Sequence, residues 1–202
     1  MTEPELDIKN VNQALINALI YRIISGNLAD VKTIVETEIP PNIRSQFTLV
    51  CKYAARNLDC LKYLHEQGFP IPFNTNTFDG ACLSASEYGK VDCLQYLHEI
   101  GCPWNEMVCE YSDNLECLRY LHENGCPWDE GTILMAILSG RLDCLQYAHE
   151  NGCPVSSDWD TTIVTNVNSS MMQCVKYAHD HGMYPNLRIK IRPEPKLKSP
   201  KL

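Results

Sequence analysis

The chain has 202 residues, 45% of them apolar, the balance of a folded protein and not of a disordered one. No apolar run approaches the roughly 20 residues needed to span a bilayer, and the acidic start Met1-Thr2-Glu3-Pro4-Glu5-Leu6-Asp7 does not read as a secretory signal. The formal charge of −8 is uneven: residues 188–202 carry six basic side chains against one acid, a local +5 that leaves −13 on the rest. Such a body repels nucleic-acid phosphates and suits a basic or neutral partner.

Taken in chain order, Val11–Ile20 predicts a helix that caps the repeats after it. Asn27-Leu28-Ala29-Asp30-Val31-Lys32-Thr33-Ile34-Val35-Glu36 is a weak first copy of a phrase that then recurs five times. The phrase reads CLKYLHEQG at Cys60–Gly68, CLQYLHEIG at Cys93–Gly101, CLRYLHENG at Cys117–Gly125, CLQYAHENG at Cys144–Gly152 and CVKYAHDHG at Cys174–Gly182. Measured from Asp30 through the five cysteines, the spacings are 30, 33, 24, 27 and 30 residues, the mark of a stacked repeat. Leu58, Leu61 and Leu64 share one helical face. The closing glycine supplies the left-handed residue that ends a helix, with proline soon after at Pro70, Pro103, Pro127, Pro154 and Pro185. A shorter apolar segment precedes each phrase, at Leu49–Ala55, Ala81–Tyr88, Met107–Tyr111, Ile133–Leu138 and Thr162–Val167, and is read as a short first helix. One such pair cannot bury its apolar face alone, whereas stacked pairs form a continuous core. The tail, residues 188–202, holds Pro193, Pro195 and Pro200 and is read as disordered.

These residues resemble the ankyrin repeat over about Asn10 to Asn186. Gly80-Ala81-Cys82-Leu83-Ser84-Ala85-Ser86-Glu87-Tyr88-Gly89-Lys90-Val91-Asp92-Cys93-Leu94 is similar to that family's first helix, turn and second helix, with Ala85 on its small residue and Gly89 on its turn glycine. Ala136 and Gly140 take the same roles in Ile133–Leu145. The Gly-Cys-Pro-Trp continuation resembles the start of the family's hairpin loop, in a dialect similar to arrays of large DNA viruses of amoebae and of protists. No repeat opens on Thr-Pro-Leu-His, and the turn is shortened at Arg56-Asn57-Leu58 and Ser112-Asp113-Asn114-Leu115. The resemblance implies an all-α, ankyrin-like solenoid of about six repeats over residues 1–187. It also implies a protein-binding role without catalysis or cofactor, a monomer in the cytoplasm, or in a host's cytoplasm if the chain is viral.

The recurrent Cys and His invite a metal or redox reading, and helix geometry argues against it. Cys60 and His65 lie about 140° apart around a helix, and equivalent helices pack about 8–10 Å apart, too far for zinc donors or for a disulfide between equivalent cysteines. The position after the glycine holds Phe69, Cys102, Cys126, Cys153 and Met183. That substitution pattern describes an apolar slot, in which Cys acts as a small hydrophobe. The histidine row (His65, His98, His122, His149, His179) is read as a ladder between helices that donates to loop backbone, with a pH switch as the sharper alternative. No phosphate loop, nucleophile elbow or HExxH is present.

Positions that vary between repeats are the candidates for partner contact. These are the loop residues Trp104, Glu106, Trp128, Asp129, Glu130, Asp158, Trp159 and Asp160, joined by Tyr88, Tyr111 and Ser112 near first-helix ends. Trp beside acids suits a protein partner with apolar and basic surface. Trp104 and Trp128, which recur at one repeat position, can equally be packing. The alternative to a binding scaffold is a metal or redox protein built on the Cys/His rows.

Overall fold

The computed structural model describes residues 8–73, 80–156, 162–165, 168–183 and 188–191. They divide into two compact bodies, Met1–Trp128 and Asp129–Leu202.

Among the described residues the first body contains eight α-helices in four pairs: α1 Ile8–Ile24 with α2 Leu28–Glu38, α3 Val50–Ala54 with α4 Leu58–Glu66, α5 Ala81–Glu87 with α6 Val91–Glu99, and α7 Glu106–Glu110 with α8 Leu115–Glu123. The first helices pack in series, α1 on α3, α3 on α5 and α5 on α7, and the second helices do the same along α2, α4, α6 and α8. The expected cap is present, and at 17 residues it is longer than Val11–Ile20. It buries Leu19 and Ile23, one turn apart.

Each phrase folds as the sequence predicts. Cys60, Leu61 and Leu64 are buried, as are Cys93, Leu94, Leu97 and Cys117, Leu118, Leu121, and each buried leucine contributes about 1.5–3 kcal/mol. Every phrase glycine takes a positive φ, between 68° and 82°. The residue after it donates its amide to the carbonyl five positions back, at 2.8 to 3.1 Å in all five copies, and the glycine donates three back. This is a Schellman closure, which takes an apolar side chain just past the glycine. Phe69, Cys102, Cys126, Cys153 and Met183 all fill that position and all are buried.

The weak first copy has no such glycine, and an arginine does its work. Arg44, in a 3-10 helix at Pro41–Gln46, donates from Nη2 to the Val35 carbonyl at 3.4 Å, from Nε to Ile39 at 3.2 Å and from Nη1 to Gln67 at 2.9 Å. It thereby meets the orphan C-terminal carbonyls of α2 and α4.

Two different turns join the helices of the pairs after α1 and α2, which themselves have both a positive-φ Gly26 and an Asn27 cap. Where glycine is present, Gly89 at φ +62° and Gly140 at +71° close the first helix, and the following helix relies on Asp92 or Asp143 to accept the Cys93 or Cys144 amide. Where the turn is shortened, an asparagine caps the second helix: Asn57 Oδ1 accepts from Cys60 N and Asn114 Oδ1 from Cys117 N. The first helices of those short pairs, α3 and α7, have only five residues each. Asn114 also donates from Nδ2 to the Gly89 carbonyl at 3.2 Å, tying one pair to the next. Beside it, Ser86 Oγ donates to the Val108 carbonyl at 2.7 Å and sits 2.9 Å from Ser112 Oγ, while Asp113 N donates to Ser86 O. Both buried hydroxyls are thus satisfied.

The second body holds α9 Glu130–Ser139, α10 Leu142–Glu150 and α11 Ser169–Asp180, with α9 packed on both of the others. The structure corrects two expectations in this body. Thr162–Thr165 is a strand, β1, and not a first helix; it pairs in parallel with β2, Arg188–Ile191, in the register Thr162 to Arg188 through Thr165 to Ile191. A run of β-branched Thr-Ile-Val-Thr resists the helix and favours extended backbone, and Arg-Ile-Lys-Ile alternates with period two. The stretch read as a disordered tail therefore begins with a paired strand.

The glycine turns make a direct test. A Cβ at Gly101 would meet nothing within 4 Å, whereas one at Gly89 would collide with the Asn114 amide. Gly101→Ala should cost about 1 kcal/mol from left-handed strain alone, and Gly89→Ala about 2–3 kcal/mol because the cap and tie of Asn114 go as well. Urea denaturation of both variants measures the difference.

Candidate functional site

The histidine row turns out to be one half of a ladder. His65 Nδ1 lies 2.6 Å from the hydroxyl of Tyr96, which belongs to the next phrase, and His98 Nδ1 lies 3.0 Å from Tyr120. In the second body His149 Nδ1 lies 3.1 Å from Tyr177. The expected partner, loop backbone, is thus replaced by a tyrosine hydroxyl on the neighbouring second helix. The first copy has Val35 where later copies have histidine, and there Tyr63 donates to Glu36 at 3.3 Å instead. Burial, then the charge of a nearby glutamate (Glu66, Glu99 or Glu150), raises the pKa of Tyr96, Tyr120 and Tyr177, so their hydroxyls stay protonated and bonded. On α11, His179 stands 88% exposed beside Asp180.

The tryptophans lean on this ladder. The Trp104 ring centroid is 4.1 Å from that of His98, tilted by 38°, and meets Tyr120 edge-on at 6.3 Å. Trp128 stacks on His122 at 3.8 Å and 14°. Both are half-buried, so the shared repeat position reports packing, worth about 0.5–1.5 kcal/mol per ring pair.

The remaining candidates are dispersed. Glu106 is exposed at the start of α7, and Glu130 is half-buried at the start of α9. Asp129 caps α9, accepting from Gly131 N at 2.9 Å, and its carbonyl accepts the Cys153 thiol at 3.1 Å. Tyr111 is half-buried at the end of α7, and Ser112 is buried in the hydroxyl network above and unavailable to a partner. Asp158, Trp159 and Asp160 lie outside the described residues.

Tyr88 is different. It ends α5, is 45% exposed, and carries the Arg56 guanidinium 3.8 Å above its ring. Leu49, at the start of α3, is 40% exposed, and Phe73, in the loop after α4, is 52% exposed. With Tyr21 and Ile24 on α1 these are the exposed large apolar side chains among the described residues of the first body, and none sits on a second helix. In the second body they are Val155, in the loop after α10, and Met172 on α11. Leu49 and Phe73 escape a reading of the sequence because nothing in an apolar residue's identity says whether it faces core or solvent, and Arg56 escapes because its ring partner Tyr88 lies in the next repeat.

No protein-family profile matches the chain, and no curated protein matches it.

The cysteines are all free and buried. Burial pushes the Cys51 thiol up to about 12, and burial with the neighbouring Asp92 does the same for Cys93. Such thiols stay protonated and unreactive at neutral pH. Within a phrase Cys60 points into the core while His65 sits between helices at the surface. Among the described residues no group of three or more His, Cys, Asp or Glu side chains is arranged to hold a metal ion. No described helix is long and apolar enough to cross a membrane.

Removing one rung tests the ladder. Tyr120→Phe keeps the ring against Trp104 and His98 but deletes the hydroxyl, and should lower unfolding free energy by about 1 kcal/mol in urea titration.

Proposed function

We propose that the protein is a non-enzymatic binding scaffold of the ankyrin kind, working in the cytoplasm, whose repeats form one solenoid and present first helices and loops to a protein partner. The observation that carries this reading is the segregation of exposed apolar side chains among the described residues of the first body: Leu49, Phe73 and Tyr88 lie on first-helix ends and loops, and the second helices contribute none. A stacked fold needs its second helices to bind one another, which α2, α4, α6 and α8 do. Exposed aromatic and apolar side chains on the other row have no such duty, and amphipathic side chains of this type are what binding hot spots are made of. The −13 charge outside the tail favours a partner with basic groups around an apolar contact. The eleven free thiols fit a reducing compartment.

The rival reading, a metal or redox protein built on the repeated Cys/His rows, is less well supported, because the row cysteines face the core and His65, His98 and His149 are engaged with tyrosine hydroxyls.

Affinity capture from native cells compares three baits of equal helical content by circular dichroism. Leu49→Ala/Tyr88→Ala should weaken partner recovery at least about tenfold relative to the unaltered chain, while Gln95→Ala, exposed on α6, should leave it unchanged. Equal recovery by all three baits sinks the first-helix face as the site.

A further inference from the structure

The last rung of the ladder differs from the others in carrying a second imidazole. His149 lies in the last turn of α10, and His181 follows α11 as its C-cap. Their ring centroids are 5.2 Å apart, with the ring planes crossed at 75°. His181 is the one histidine of the chain outside the repeated row, and at the same phrase position the earlier copies hold Gln67, Ile100, Asn124 and Asn151. His149 is half-buried and His181 exposed, so solvent reaches the pair.

Tyr177 engages both rings, each through Nδ1. His181 Nδ1 lies 2.8 Å from the Tyr177 carbonyl. A carbonyl oxygen only accepts, so Nδ1 carries the proton and Nε2 keeps its lone pair. His149 Nδ1 lies 3.1 Å from the Tyr177 hydroxyl, whose oxygen accepts from Nδ1–H when Nε2 is bound to a Lewis acid. Metal-bound imidazoles are held in this way, the second ring nitrogen donating to a backbone carbonyl or another oxygen that fixes tautomer and ring orientation. The Tyr177 ring also stacks on His181 at 4.0 Å and 29°.

The ring spacing fits a single ion. A metal–nitrogen bond of about 2.0–2.1 Å puts the ion roughly 3.2 Å from each ring centre, and a tetrahedral angle then sets the two centres about 5.2 Å apart. The observed separation matches. We propose that His149 and His181 form a two-imidazole site for a divalent transition cation (zinc, nickel or copper), bound through both Nε2 atoms with water in the remaining positions. Imidazole selects these ions over calcium and magnesium, which take oxygen ligands. Both histidines stand at helix C-terminal ends, where the backbone dipole favours positive charge. The adjoining carboxylates Glu150 and Asp180 are exposed, and they add negative charge to that setting. Among the described residues no third His, Cys, Asp or Glu is arranged to close the coordination, so the site is open to solvent. The repeated cysteines take no part in it. It belongs to second-helix ends and does not depend on what the first helices bind.

The test uses the full, folded chain, stripped of metal with a chelator and titrated with nickel(II) at neutral pH by isothermal titration calorimetry. The unaltered chain should bind nickel with a saturable heat. Loss of an outer-shell partner of a metal site already costs about 10–100-fold in affinity, so His181→Ala, which deletes a ligand, should weaken binding at least as much. His181 is exposed, and its loss should leave the circular dichroism spectrum unchanged. His149→Gln removes the other ligand and should weaken binding to the same degree. His179→Ala, at an 88% exposed position on the same helix, should leave affinity as it was. Absence of nickel binding by the unaltered folded chain, equal affinity in His181→Ala, or a loss that follows His179→Ala instead overturns the proposal.

Discussion

Each repeated second helix ends in the same two hydrogen bonds, made possible by a glycine held at positive φ. An L-residue with a Cβ is strained there, so the closure is bound to the glycine, and the closure in turn reverses the chain within two residues. That reversal drops the next side chain, whether Phe, Cys or Met, into the core between the two helices of the pair. It also commits the following loop to one end of the pair, which is where Trp104 and Trp128 are found. The apolar slot and the position of the loop tryptophans both descend from that one turn.

A second constraint acts between pairs rather than within them. The tyrosine of one phrase meets the histidine of the phrase before it, through contacts as short as 2.6 Å. Both residues sit at the half-exposed boundary of the second-helix row, where an unmatched polar atom is costly and a matched one sets register. The ladder also consumes the chemistry of the histidines. Of the imidazoles that look from the sequence like a row of ligands, His65, His98 and His149 are occupied with tyrosine hydroxyls and His122 is covered by Trp128, while His179 is exposed. The first helices escape this demand. Two of them, α3 and α7, have only five residues, and the ends of α3 and α5 carry Leu49 and Tyr88 outward.

Much of this is readable without coordinates. The second helices come from leucine spacing, their ends from Gly and Pro, and the apolar slot from the interchange of Phe, Cys and Met. The shortened turns at Asn57 and Asn114 are visible as missing glycines, and the caps that replace them are what asparagine does at a helix start. Thr162–Val167 misleads because alignment to a repeat outweighs local propensity: a β-branched run in the position of a first helix is still a β-branched run. Ser112 misleads because a hydroxyl near a turn looks solvent-facing until its partner Ser86, 26 residues away, is in view.

What the sequence determined by itself is everything that rests on neighbours a few residues apart: helix limits, caps, glycine closures and the apolar stripe, since each depends on backbone angles and spacing within one turn of chain. Only the tertiary structure decided which groups distant along the chain meet, among them His with Tyr, Trp with His, and Arg56 with Tyr88. Those meetings span roughly 6 to 32 residues and depend on how far one helix is shifted and rotated against the next, a quantity that side-chain packing sets and that no local pattern encodes.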